Sequence, residues 1–301
     1  MRIGYPCLNT SVGCSPARTF RLASYSDVRL VETVERNLAC TDAILHYNVA
    51  HGLLAFRLTS DLVPFASHPV CAYAWQERFR PAFQALGAFA RQHRMRVSMH
   101  PGQYTLINSP REEVFAASVR DLVYHAEVLD LMGLDATARV QIHVGGVYGD
   151  RRRSLDRFVA RYRDLPAAVR RRLAIENDDR QYGLADCVRL HEDTGTPVIF
   201  DTLHHEANNA GESVGDALAL AVRTWDTVAG PPMVDYASQA VGERVGKHAA
   251  HIDLADFRRF LVASRPHDPD LMLEIKDKEQ SALLALQAAG EDPRLVRAVS
   301  D

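Results

Sequence analysis

Short, almost wholly apolar runs alternate along the chain with longer stretches in which apolar residues recur every three or four positions. Eight short runs stand out, near Arg2–Tyr5, Leu53–Leu58, Arg96–Met99, Arg139–Val144, Arg172–Ile175, Pro197–Phe200, Met233–Tyr236 and Leu271–Ile275. Brief apolar runs without polar alternation suit strands covered on both faces, as in a parallel sheet. The stretches between them predict amphipathic helices at Val28–Gly52, Arg78–His93, Glu112–Met132, Ser154–Leu165, Ser213–Ala229 and Leu254–Ala263. Strand–helix alternation implies an α/β fold. Eight such units in 301 residues predict a (β/α)8 TIM barrel forming a single domain over residues 1–301, since that fold needs about 250 residues. The surplus falls in the loops after the first two strands. A doubly wound open sheet is the alternative, but it normally carries a Gly-rich phosphate turn after its first strand. Tyr5-Pro6-Cys7-Leu8-Asn9 is not one.

The polar residues sharpen this picture. The third run leads into His100, the fourth contains His143, the fifth leads into Glu176 and the sixth into Asp201; the seventh contains Asp235 and the eighth Glu274. All six lie at or near the C-terminal ends of their strands, and a barrel gathers those ends on the face where its active sites are built. Taken singly, each residue reads as a hydrogen-bonded histidine, a helix cap or a loop charge. Together they would repel one another in a buried mouth unless cations joined them. His204, three residues after Asp201, and His248, in the loop after the seventh strand, extend the set to four histidines and four carboxylates. That mixture suits Mn²⁺ or Zn²⁺ better than Ca²⁺. Eight ligands exceed one zinc site, so two or three divalent ions sharing carboxylates are expected. The chemistry this favours is phosphoester hydrolysis. Metal-assisted sugar isomerisation and a non-catalytic metal-binding barrel are the alternatives.

Composition bears on the partners. Lys+Arg total 35 against 38 Asp+Glu, a formal charge of −3, which argues against nucleic-acid binding by bulk charge. Two or three divalent ions would add about +4 to +6 at the mouth and remove the objection. Arg151-Arg152-Arg153 follows the fourth strand on the site face and is a candidate phosphate contact. Arg170-Arg171-Arg172 precedes the fifth strand and is expected to be solvated on the opposite face. The five cysteines (Cys7, Cys14, Cys40, Cys71, Cys187) are odd in number and show no Cys-x-x-Cys spacing. They are read as reduced thiols of a cytoplasmic protein. Met1-Arg2-Ile3-Gly4-Tyr5-Pro6 lacks the charged and apolar regions of a secretory leader. No apolar run of about 18 residues suggests a membrane span.

Nine segments carry a more specific signal. They are Gly4-Tyr5-Pro6-Cys7-Leu8-Asn9, Pro64-Phe65-Ala66-Ser67-His68-Pro69, Ser98-Met99-His100-Pro101-Gly102-Gln103-Tyr104, Ile142-His143-Val144-Gly145-Gly146, Glu176-Asn177-Asp178, Asp201-Thr202-Leu203-His204-His205, Ala237-Ser238-Gln239, Gly246-Lys247-His248-Ala249 and Glu274-Ile275-Lys276-Asp277-Lys278-Glu279-Gln280. In this order, and over almost the whole chain, they resemble the UV damage endonucleases, relatives of the endonuclease IV class. The resemblance implies a (β/α)8 barrel with a Mn²⁺ or Zn²⁺ centre. It implies a nuclease that nicks damaged duplex DNA immediately 5′ to pyrimidine dimers, 6-4 photoproducts and, in some members, abasic sites. The ends left are 3′-hydroxyl and 5′-phosphate. It implies His100, His143, Glu176, Asp201, His204, His248 and Glu274 as ligands, with Glu176 bridging two ions. His68 is expected to support the ligands or hold phosphate, and Lys276 and Lys278 to contact phosphates; Glu176, His68 and Lys276 form the catalytic candidates. Gln103 and Tyr104 resemble the residues that probe the lesion, with Tyr5 and Asn9 as further candidates. His205 and His251 are not expected to be ligands. One segment departs: some members have Lys-x-His on the seventh strand, where this chain has Met233-Val234-Asp235. Asp235 can still supply a ligand oxygen; Met233 can supply no cation. No organic cofactor and no membrane partner are implied, and a monomer is expected.

Overall fold

A computed structural model describes residues 1–297; the last four residues of the expected domain lie outside the described ones. Its strands are β1 (Ile3–Pro6), β2 (Ala55–Leu58), β3 (Arg96–Met99), β4 (Arg139–His143), β5 (Leu173–Glu176), β6 (Val198–Asp201), β7 (Met233–Tyr236) and β8 (Asp270–Leu273). Each pairs in parallel with its sequence neighbours, and β1 meets β8 to close the barrel. All eight strands fall on the apolar runs of the sequence.

Side chains alternate across each strand, so one set fills the barrel and the other faces the helices. The inward residues form layers. Arg2, Arg96, Arg139 and Asp270 lie at the bottom, where Asp270 pairs with Arg2 and Arg96. Ala174, Ile199 and Met233 pack together in the middle. The top layer contains Arg57, Glu176, Asp201, Asp235 and Glu274. The centre is narrow: a Cβ on Gly4 would lie 1.6 Å from the Ala55 carbonyl oxygen.

The helices are α1 (Asp27–Ala50), α2 (Trp75–Gln92), α3 (Glu112–Leu131), α4 (Arg151–Asp164), α5 (Ala167–Arg172), α6 (Leu184–Thr194), α7 (Thr202–Ala207), α8 (Val214–Val222), α9 (Leu254–Ala263) and α10 (Glu279–Ala288). Ser26 caps α1 by accepting from the Arg29 N–H. The apolar pattern misses α5, α6, α7 and α10. The signal for α6 lies in Leu184, Cys187 and Leu190, all buried, and in Gly195, whose φ of 71° ends the helix. The expected Ser213–Ala229 helix stops at Val222. Beyond it the Thr224 hydroxyl accepts the Val198 N–H, and the Trp225 indole donates to the Val198 carbonyl, which ties the segment after α8 to the start of β6.

Two expectations are corrected here. Cys14 and Cys40 form a disulfide with Cα atoms 5.8 Å apart, leaving Cys7, Cys71 and Cys187 as thiols. The long loop after β1 folds back on α1 and brings together residues whose spacing carries no local signature. Arg172 is not solvated. Its guanidinium is buried, pairs with Asp130 at 2.5 Å and donates to the carbonyls of Leu134, Asp135 and Ala138. Arg172→Met therefore strands these acceptors and is expected to destabilise the fold by about 3 kcal/mol. A urea midpoint equal to that of the parent would contradict this role.

Candidate functional site

Glu176 ends β5 beneath three imidazoles. Its Oε2 lies 3.2 Å from His100 Nε2 and 3.8 Å from His143 Nε2, and its Oε1 lies 3.1 Å from His204 Nδ1. Two compact groups result, His100/His143/Glu176 and Glu176/Asp201/His204. The ligand atoms of each lie within 4.8 Å of one another, and the groups share Glu176. Three strands deliver the first group, and β6 with the first turn of α7 delivers the second.

Local bonds fix these side chains. Asn177 clamps the β6 end, accepting the Asp201 N–H at 2.9 Å and donating to the Asp201 carbonyl at 3.0 Å. Asp201 Oδ1 caps α7 through the His204 N–H at 2.7 Å, which turns Oδ2 toward the mouth. His100 Nδ1 is held by the Pro101 carbonyl at 2.8 Å and His248 Nδ1 by the Glu274 carbonyl at 2.5 Å. Fixing one ring nitrogen in this way orients the other for a ligand. Ser60 supports the His100 backbone through a hydroxyl bond of 2.7 Å, and buried His125 lies 3.1 Å from that hydroxyl.

The electrostatics are those of a cation site. Burial would raise the Glu176 carboxyl, but His143, His100 and His204 hold it well below the ordinary carboxylate range. Burial lifts Asp201 well above that range, and His204 offsets this only in part. Asp201 Oδ2 and His143 Nδ1 are buried without a hydrogen-bond partner. Orphaned buried polar atoms are costly, and these two flank Glu176 in the two ligand groups. The residues thus fit divalent ions.

Beside them opens a hollow of about 360 Å³, lined by His100, Gln103, His143, Asp178, Gln181 and His204 among others. Gly145 shapes its wall: its φ is 112°, and a Cβ there would meet Asn108 Oδ1 at 2.3 Å. Gln103 lines the hollow, and its neighbour Tyr104 projects into solvent with 81% exposure. Tyr104 does not pack under its own loop. Lys276 is exposed and Lys278 half-buried at the start of α10. Arg151 is tied to Asp186, whereas Arg152 and Arg153 are exposed.

Other expected residues stand elsewhere. Tyr5 faces α1 and is fully buried; its hydroxyl donates to Asn48 Oδ1 and accepts from Asn9 Nδ2, both at 2.7 Å. Asn9 also accepts the Ser11 and Val12 N–H groups. Both residues therefore build the first loop and are buried. His68 is exposed, accepts the Val70 N–H at 3.0 Å and lines a separate hollow with Arg120 and Glu127. It does not join the Glu176 cluster. His205 is buried against Phe200 and the Glu212 carbonyl, and His251 pairs with Asp277 at 2.8 Å; neither belongs to the two groups around Glu176. Glu274 and His248 reach its edge, with His248 Nδ1 4.0 Å from Glu274 Oε2.

Asp235, expected as a ligand, is held by protein donors. One oxygen of Asp235 accepts from Arg57 Nη2 at 2.6 Å and the other from Gln141 Nε2 at 2.5 Å. Asp235 is thus engaged by protein donors and lies outside both ligand groups. Sequence reasoning missed Arg57 and Gln141. Both occupy inward positions of the strands that carry the site, and strand parity was the signal that could have found them.

Comparison with known proteins agrees with the motif resemblance. Residues 1–300 match the family described as UV-endonuclease UvdE. A UV DNA damage endonuclease of Clostridium perfringens (strain 13 / Type A) is 33% identical over 293 residues, spanning 97% of this chain and 71% of its own. The crystal structure of SacUVDE superposes with a TM-score of 0.94 at 43% identity, over 98% of this chain and 100% of that one. Endonuclease IV from Thermus thermophilus shares the fold, with a TM-score of 0.55 at 22% identity over 82% of this chain and 91% of that one.

Proposed function

The chain belongs to the UV-endonuclease family and is at that level a DNA repair endonuclease; from this premise we propose that it nicks damaged duplex DNA immediately 5′ to UV photolesions, in a metal-dependent reaction. Its substrates are pyrimidine dimers and 6-4 photoproducts, with abasic sites a further class, and the ends left are 3′-hydroxyl and 5′-phosphate. The observation that carries the reading is the pair of ligand groups joined through Glu176 at the mouth of the barrel. Mn²⁺ or Zn²⁺ held there would acidify a bound water and stabilise the attacking and leaving oxygens.

His100, His143 and Glu176 would hold one ion, and Glu176, Asp201 and His204 another, with Glu274 and His248 at the edge. Lys276, Lys278, Arg152 and Arg153 would supply local positive charge for the phosphate backbone in a chain whose formal net charge is −3. Gln103 and Tyr104, both exposed, would probe for weakened stacking, the property that unrelated lesions share and that lowers the cost of flipping. The whole chain is proposed to act as one barrel domain, as a monomer in the cytoplasm, without an organic cofactor. Among the described residues no helix is long and apolar enough to cross a membrane.

The test is an end-labelled duplex with one cyclobutane dimer, incubated with the Mn²⁺-loaded protein and resolved on a sequencing gel. One product is expected, ending in a 3′-hydroxyl next to the dimer. Cutting at undamaged positions with equal rate, or aldose–ketose conversion in place of cutting, would overturn the reading.

A further inference from the structure

Arg57 is the one guanidinium in the top layer of the barrel among the described residues, and it is 3% exposed. It faces three acceptors. Nη2 lies 2.6 Å from Asp235 Oδ1 and 2.9 Å from Gln141 Oε1, and Nη1 pairs with Glu274 Oε1. Gln141 completes the lattice, donating from Nε2 to Asp235 Oδ2 and to Glu176 Oε2. Both oxygens of Asp235 and one of Glu274 are therefore engaged by donors fixed on β2 and β4. Beneath them the layer is apolar, with Met233 against Ala174 and Ile199, so no cation approaches from below. The pair of groups that share Glu176, by contrast, keeps Asp201 Oδ2 and His143 Nδ1 without a protein partner.

We infer that Arg57 takes the place of a third cation, so that this chain holds two divalent ions joined through Glu176, and Asp235 serves Arg57 as a counter-ion and is not a ligand. The inference rests on the reading that the cluster binds metal. Charge supports it. Four buried or half-buried carboxylates face the mouth. One guanidinium and two divalent ions balance them to within one charge, whereas a third ion leaves three positive charges in excess and sets an ion against Arg57. Geometry supports it as well, because an ion on Asp235 and Glu274 would compete for oxygens that Arg57 already holds. Arg57 is then a positioning residue. It fixes Glu274 directly, and Glu176 through Gln141, without touching substrate.

The test counts ions. The full-length protein is stripped with chelator, titrated with Mn²⁺, and measured by native mass spectrometry and calorimetry. The parent is expected to bind two ions per chain. Asp235→Asn is expected to bind two ions with affinity within about threefold of the parent, because an amide still accepts from Arg57. Arg57→Gln, which releases Asp235 and Glu274, is expected to bind a third. Three ions on the parent, loss of an ion from a folded Asp235→Asn protein, or only two on a folded Arg57→Gln protein would overturn the inference. If Arg57→Gln does not fold, as read by circular dichroism, the parent and Asp235→Asn counts decide. A parent that binds no Mn²⁺ would instead defeat the metal reading beneath it.

Discussion

Glu176→Ala is expected to abolish nicking, with single-turnover rates on a dimer-containing duplex falling on the order of 10³-fold or more. The magnitude follows from position. Glu176 is the member common to both ligand groups, so its removal opens both at once, whereas loss of His143 opens one. It also leaves His100 and His204 without the carboxylate that lies 3.2 and 3.1 Å from them. Manganese content is expected to fall with the rate. His205→Ala is the control: His205 faces Phe200 and the Glu212 carbonyl behind α7, so its loss should affect stability more than rate. A Glu176→Ala protein with parental metal content and rate would remove Glu176 from the centre of the mechanism.

The second large effect concerns recognition. A protein carrying both Gln103→Ala and Tyr104→Ala is expected to keep its fold and its metals, because both side chains are exposed. Loss of stacking at about 1–3 kcal/mol per base should weaken binding to damaged duplex on the order of 5- to 150-fold. Binding to undamaged duplex should change little, since phosphate contacts set that term. Fluorescence anisotropy on paired damaged and undamaged duplexes measures both. Unchanged discrimination in the double variant would place the lesion probe on another loop.

The barrel and most of its site are readable in the sequence for one reason. The strands are buried on both faces, so they appear as apolar runs, and a charged or imidazole residue at the end of such a run is conspicuous. His100, His143, Glu176 and Asp201 meet where that reasoning puts them. It fails where a polar residue sits inside a run. Arg57, within Ala55–Leu58, reads as an interruption of a strand, yet strand parity turns it inward to Asp235 and Glu274. Parity also explains Tyr5. It lies in the motif-bearing first strand but is the outward residue, so it meets Asn48 on α1 and not the mouth. Arg172 and the Cys14–Cys40 pair are different cases. Their partners are fixed by how α5 and the first loop pack against other elements, and no local spacing encodes that.

The central claim is that metal held at the Glu176 cluster makes this chain a nuclease acting beside a UV lesion. The most direct measurement follows the nicking rate on an end-labelled duplex with a single cyclobutane dimer, first after chelation and then as Mn²⁺ is restored. The account predicts no product in the chelated protein, and recovery of a single cut immediately 5′ to the dimer as Mn²⁺ binds. An undiminished rate in the chelated, metal-free protein would contradict it.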